Sequence, residues 1–324
     1  MARTFVRWRT ALGEEREPEV RIGRARYLVE ETVPAHRLVV TVGQLAVTDL
    51  LDQNMYANSA RTQFLNLAFV NDLAYDFPQD AHGYSRGILV DYVTPPFAAR
   101  LASFQAPAEP GGPLSWDLLH HRADALELTW SPRLPALVRR RMALRAIAWR
   151  NEGRMARYDD ALRTAGGGTP DLAMARRVRA RWGAGLNLEI PLAHEATTGV
   201  FARMGVARGS VETLSYAECD ATASVGVQVS GRAWGRGDDV VGGAFALSGA
   251  SAAHRAYLAA GGTGLHVGDG ALRYGAELDS EAYYALQVTS ALAISAHLQA
   301  AVNPGYNRDR GPATVLAIRL HVEL

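Results

Sequence analysis

Lysine is missing from this 324-residue chain; all 34 basic residues are arginine. Every cation is therefore a planar, permanently charged fork, not a compact point charge. With 33 acidic residues the formal net charge is only +1, which leaves no bulk electrostatic case for nucleic acid as a partner. The single cysteine, Cys219, excludes an intramolecular disulfide framework and any zinc site built from several thiolates. No run of about 20 apolar residues occurs, so no transmembrane helix is expected. The first residues, MARTFVRWRTAL, are charged throughout and lack the apolar core of an export signal. There is no fixed-period repeat, low-complexity tail or clear linker, so 1–324 reads as a single domain. Taken alone, these absences describe a soluble cytoplasmic protein.

What is present is a period of two. In the last run, Leu316, Ile318, Leu320, Val322 and Leu324 fall on one face and Ala317, Arg319, His321 and Glu323 on the other. Successive side chains of a strand point to opposite faces, so this is a strand with one apolar and one charged side. The same pattern recurs in 182–191, 198–207, 223–234, 281–289 and 292–302. Weaker alternation marks 3–12, 37–45, 84–92, 97–104, 124–131, 139–150, 213–220 and 240–248, for a total of fourteen strands. Pro, Gly and Asp clusters such as Thr94-Pro95-Pro96 and Gly235 to Asp239 punctuate them. Two short helices split by Gly166-Gly167-Gly168 are expected in 154–181, and 46–83 and 249–279 are long mixed segments.

Alternation alone fits two opposite proteins. A soluble β-sandwich, a binding module, would turn the apolar face in. A membrane barrel turns it out to lipid and the polar face to a wet lumen. Strands of about ten residues suit a tilted bilayer crossing. Trp130, Trp149, Trp182 and Trp234 stand near segment ends, as in an aromatic girdle.

Three long blocks carry a resemblance. Thr41 to Phe69 (TVGQLAVTDLLDQNMYANSARTQFLNLAF), Ser230 to Gly262 (SGRAWGRGDDVVGGAFALSGASAAHRAYLAAGG) and Asn303 to Leu324 (NPGYNRDRGPATVLAIRLHVEL) resemble the carbohydrate-selective outer-membrane porins, the OprB-like family. The resemblance implies an all-β, transmembrane antiparallel β-barrel of sixteen strands in the bacterial outer membrane, with long loops and a short helical insert. It implies passive diffusion of sugars, no enzyme activity, no cofactor and no metal, with outer-membrane lipid as surroundings and a monomer or homotrimer as the assembly. Two departures from the family pattern stand out: the chain starts in what reads as a mid-barrel strand, and it ends in Leu324 where an aromatic residue is usual. The first is expected to mean a truncated or mis-started form, lacking a signal peptide and the first strands.

In a barrel, alternation nominates the lumen wall. Its arginines are Arg7, Arg9, Arg141, Arg145, Arg203, Arg232 and Arg319; its carboxylates Asp91, Glu127 and Glu189; its aromatics Phe201, Trp234 and Tyr283. Guanidinium forks and carboxylates satisfy sugar hydroxyls, and aromatic rings meet the apolar ring face. Asp49, Asp52, Asn54 and Arg61 lie in the long segment 46–83, as ordinary loop packing or as an inward constriction. Counting strands back from the C-terminus places 303–312 and 249–279 outside, with Thr289 to Ala291 and Gly235 to Asp239 as periplasmic turns. The same count puts the helical insert 151–181 on the periplasmic side, against the rule of short inner turns.

Enzyme signatures fail on context. His120-His121 has no ligand set around it, Glu218-Cys219-Asp220 has no base aimed at its thiol, and Asp238-Asp239 is a turn. GGTGLHVGDG (Gly261 to Gly270) neither follows a clean strand nor opens a helix. A barrel lipase would need a Ser/His/Asp or Ser/His/Asn group on its outer face, and none can be assembled from the sequence.

Overall fold

The computed structural model describes residues 3–13, 19–22, 31–132, 142–193 and 197–323. Fifteen strands form: β1 (Thr4–Ala11), β2 (Glu19–Ile22), β3 (Glu31–Pro34), β4 (Arg37–Leu45), β5 (Ser85–Thr94), β6 (Phe97–Gln105), β7 (Arg122–Trp130) and β8 (Ala143–Met155), then β9 (Arg177–Pro191), β10 (Gly199–Ala207), β11 (Ala221–Ser230), β12 (Val240–Gly249), β13 (Glu277–Gln287), β14 (Leu292–Val302) and β15 (Ala313–Val322). Thirteen join one antiparallel sheet in the order β1-β4-β5 and onward to β15; β2 and β3 pair separately as a small hairpin. Apart from that excursion, each strand pairs with its neighbour in sequence. This meander is the topology that alternating patterns and short connections favour.

Thirteen of the fourteen expected strands are present. The exception is 213–220. Its backbone N–H groups at Leu214, Ser215 and Tyr216 all donate to the Asp76 carboxylate, at 2.8–2.9 Å. Three successive amides turned onto one carboxylate cannot serve a ladder, so the segment curls into a loop between β10 and β11. Removing this strand also corrects the strand directions. Besides the short helix α1 (Leu67–Val70), there are helices α2 (Tyr158–Ala165) and α3 (Leu172–Ala175), which now share an end with 250–276 and 303–312. They pack there: Tyr158 and Leu172 join Tyr257 and Leu258 of α4 (Ala252–Ala259) in one buried cluster. The long connections 46–84, 106–121, 156–176, 208–220, 250–276 and 303–312 all lie at that end. The short turns 95–96, 231–239 and 288–291 lie at the other, as in a membrane barrel. The glycine split expected between the two helices is there, with Gly166 left-handed (φ 56°) as the C-cap of α2.

The sheet is inside out relative to a soluble protein. Leu316 and Ile318 are 80% exposed, and Leu101, Trp182, Met204, Val225 and Phe245 all face outward. On the opposite faces Glu127 is fully buried, with Arg203, Asn187, Glu281 and His297 nearly so. A sandwich would bury the first set and solvate the second, so the sandwich alternative is set aside. Trp130 and Trp182 stand outward as a girdle requires, but Trp149 does not: it points in and packs on Tyr75 at 5.8 Å.

The outward face supplies a direct test. Val225, on the outer face of the inner strand β11, is 56% exposed. Val225→Arg is expected to weaken folding into bilayers by ~2–4 kcal/mol, the cost of a cation near the midplane. In a soluble fold an exposed Val→Arg change lies within about 0.5 kcal/mol. Urea unfolding from lipid vesicles distinguishes the two.

Candidate functional site

The segment 46–84 leaves β4 and folds back against the inner wall. Its sequence interleaves Asn and Asp with aromatics. The aromatics bury and the acids bind. Phe64 packs against Phe201 of β10 at 5.7 Å and edge-on to Tyr283 of β13 at 5.0 Å. Tyr75 meets Trp149 of β8, and Tyr56, Phe64 and Phe69 are fully buried. The wall is thinned to admit it: a Cβ at Gly185 or Gly205 would collide with the Asp72 carboxyl, and one at Gly199 with the Tyr56 ring.

Polar groups from six strands, five of them charged, then hold the backbone. Glu127 of β7 accepts from the Asp52 N–H at 2.8 Å, Glu189 of β9 from Met55 at 2.8 Å, and Glu281 of β13 from both Leu65 and Asn66 at 2.8 Å. Arg203 of β10 donates to the Asp52 carboxylate at 3.1 Å and to the Phe69 carbonyl at 2.7 Å. Arg319 of β15 donates to the carbonyls of Ala60 (3.0 Å) and Gln63 (2.7 Å). Asn151 of β8 donates to the Asp76 carbonyl. A carboxylate accepting a backbone N–H makes a charge-assisted bond, roughly twice as strong as a neutral one. Of the alternatives weighed for Asp49, Asp52, Asn54 and Arg61, the inward course is the observed one. Asp52 and Asn54 are buried at its centre, whereas Asp49 pairs with Arg3 and Arg61 stays exposed.

The nominated wall residues therefore divide. Glu127, Glu189, Phe201, Arg203, Tyr283 and Arg319 face in, but their side chains are engaged with the inserted segment. Arg145 faces in and donates to Glu189 at 3.1 Å, leaving its Nε and Nη1 unpartnered among the described residues. Arg7, Arg9 and Asp91 are half-buried on β1 and β5. Arg7 donates to Thr41 Oγ1 at 3.1 Å, and Arg100 of β6 bridges Asp91 (2.8 Å) and Glu127 (2.6 Å). Arg141 lies outside the described residues. Arg232 and Trp234 are corrections. The chain leaves the sheet at Ser230 for a short 3-10 turn, Gly231–Trp234, so alternation no longer applies. Arg232 is exposed in that turn, and Trp234 packs on Tyr284, which points outward.

Sequence reasoning passed over Asp76, Arg100, Arg181, Glu281 and His297. Glu281 and His297 lie on polar faces that alternation had already marked, and they pair at 2.8 Å. Asp76 and Arg181 belong to a polar knot beneath the long loops. Arg181 is fully buried and donates to Asp220 (3.0 Å) and to the carbonyls of Val211 and Cys219, with its Nε 4.0 Å from Asp76. His254 Nδ1 sits 3.1 Å from the other Asp220 oxygen. Burial alone would raise the Asp220 pKa; the His254 hydrogen bond and the Arg181 charge outweigh it and bring it to about 2. Burial pushes the neighbouring Cys219 thiol up to about 11, the reverse of an activated nucleophile.

The family model for the carbohydrate-selective porin, OprB family, matches residues 5–324. Among solved structures, the chain is similar to the high-pH structure of Pseudomonas putida OprB, with 17% identity, a TM-score of 0.68, and coverage of 88% of this chain and 69% of that one. The low-pH structure of the same protein matches at 15% identity and a TM-score of 0.46, over 88% of this chain and 62% of that one. Pseudomonas aeruginosa OprD matches at 10% identity and a TM-score of 0.38, over 91% and 81%. No curated protein matches the chain.

Proposed function

Because the chain belongs to the OprB family of carbohydrate-selective porins, we propose that solutes pass its barrel through the lumen left open beside the inserted segment 46–84. Membership makes it a passive outer-membrane channel for carbohydrates. The finer reading concerns which residues select.

The observation that carries it is the division of the wall. The strands β7 to β15 supply most of the polar anchors of the segment, while Leu89, Ala102 and Phe104 of β5 and β6 pack against it. β1, β5 and β6 also keep half-buried charges of both signs: Arg7, Arg9, Asp91 and Arg100. Alternating guanidinium and carboxylate groups offer donors and acceptors side by side, as vicinal hydroxyls require. Arg145, whose Nε and Nη1 are buried without a partner among the described residues, adds to the polar inner wall on β8. None of these contacts is deep or apolar, so a solute binds weakly enough to leave. The segment narrows the path, and the charges discriminate among the solutes that fit.

Reconstitution in liposomes tests this. Swelling is expected to be faster with glucose and maltose than with charged solutes of matched size. Arg100→Ala should reduce that preference, because it separates Asp91 from Glu127. Equal rates for neutral and charged solutes would defeat the carbohydrate reading.

A further inference from the structure

At the end with the short turns, a cavity of about 280 Å³ lies between the tip of the inserted segment and the inner faces of β13 to β15. Arg61, Asp238, Gln287, Ser295, Arg319 and Glu323 contribute its polar lining, and Val240, Ala285, Ala291 and Ala293 a small apolar wall. It is distinct from the charged arc above: it lies past the tip, beside the turns 231–239 and 288–291.

Several of its polar groups keep capacity among the described residues. Ser295 Oγ accepts from Arg319 at 3.1 Å, and its own proton remains to donate. Gln287 spends its amide N–H on the Thr289 carbonyl at 2.7 Å and keeps its side-chain oxygen. Arg319 Nε is buried and unpartnered. Donors and acceptors thus stand together beside a few aliphatic carbons. Two permanent cations, Arg61 and Arg319, balance two anions, Asp238 and Glu323, and His321, 3.8 Å from Glu323, completes the titratable lining. The volume falls just below the range of about 300–1,000 Å³ that drug-sized ligands occupy.

We propose that this cavity is a discrete binding subsite for one neutral monosaccharide at the inner mouth of the channel, a resting point after the narrowed lumen. The proposal rests on the carbohydrate-channel reading. A polyol matches the mixed hydrogen-bonding groups, the charge balance gives no preference to an acid, and the aliphatic wall suits the C–H face of a sugar ring.

The test uses Ala293→Phe, which fills the cavity from β14 without touching an anchor of the inserted segment. Saturation-transfer NMR titration of glucose onto the detergent-solubilised full chain reads the affinity, and heat-dependent gel migration reports folding. The variant is expected to bind glucose roughly tenfold more weakly than wild type, and glucuronate is expected to bind wild type no better than glucose. Should Ala293→Phe not fold, Gln287→Leu is read the same way. Unchanged glucose affinity in a folded variant overturns the subsite, and tighter binding of glucuronate overturns its neutral character. Liposome swelling separates this from the broader reading. Wild-type swelling that favours sugars, with unchanged affinity in the variants, defeats the subsite alone; swelling without sugar preference defeats both.

Discussion

Replacing Arg203 with alanine is expected to free the inserted segment from the barrel wall and raise open-channel conductance several-fold. Arg203 and Asp52 are about 1% and 2% exposed, and the guanidinium holds the Asp52 carboxylate, the Asp52 carbonyl and the Phe69 carbonyl together. Removing one partner leaves a buried charge uncompensated, at a cost of about 3–5 kcal/mol. The barrel ladder does not depend on that pair, whereas the segment does, so the cost falls on the segment. A double variant, Arg203→Leu with Asp52→Asn, should recover much of the loss, because an apolar or neutral replacement of both partners spares the stranded charge. Planar-bilayer recordings and urea unfolding check both statements. Wild-type conductance in Arg203→Ala would remove the segment from the conduction path.

The second large effect is expected beneath the long loops. Arg181→Met should loosen 208–220 and the α2–α4 cap together and cost a similar ~3–5 kcal/mol, since Asp220 loses its charge partner while still buried. The effect has a pH signature. Asp220 is held at about 2 in the folded protein, below the ordinary carboxylate value. A depressed folded pKa contributes stability above the unfolded value and loses it as pH falls toward the folded one. The wild-type contribution, ~2 kcal/mol, is therefore complete above about pH 4 and gone near pH 2. In Arg181→Met the folded pKa moves up, the window narrows, and the outer loops should become protease-sensitive at a higher pH during acid titration. An identical acid profile in variant and wild type would show that His254 alone sets Asp220.

The strands and their two faces were legible because side-chain period is a local property. Val200, Ala202, Met204 and Val206 point out while Phe201 and Arg203 point in, as their order in the chain dictates. Which face meets lipid was not legible from period, because a sandwich and a barrel share it; the resemblance supplied that choice and the exposed Leu316 and Ile318 bear it out. The inserted segment was hidden for a different reason. Its amides are held by carboxylates far along the chain, as Leu65 is by Glu281, 216 residues away. No local pattern records such a partner. The same blindness produced the false strand at 213–220: those residues alternate as a strand would, but Asp76 captures their backbone, and one spurious strand reversed the direction assigned to everything before it. Arg232 and Trp234 were misplaced where a 3-10 turn breaks the period.

The sheet order carries one further consequence. Thirteen antiparallel strands in simple succession leave β1 and β15 pointing the same way, each paired on one side only among the described residues. Two such edges cannot meet in an antiparallel ladder. Hydrocarbon, however, tolerates no open edge, since each bare N–H and C=O there costs several kcal/mol. Parity limits the closure: these two edges can meet directly only as a parallel pair, and any all-antiparallel ring that contains this sheet has an even number of strands.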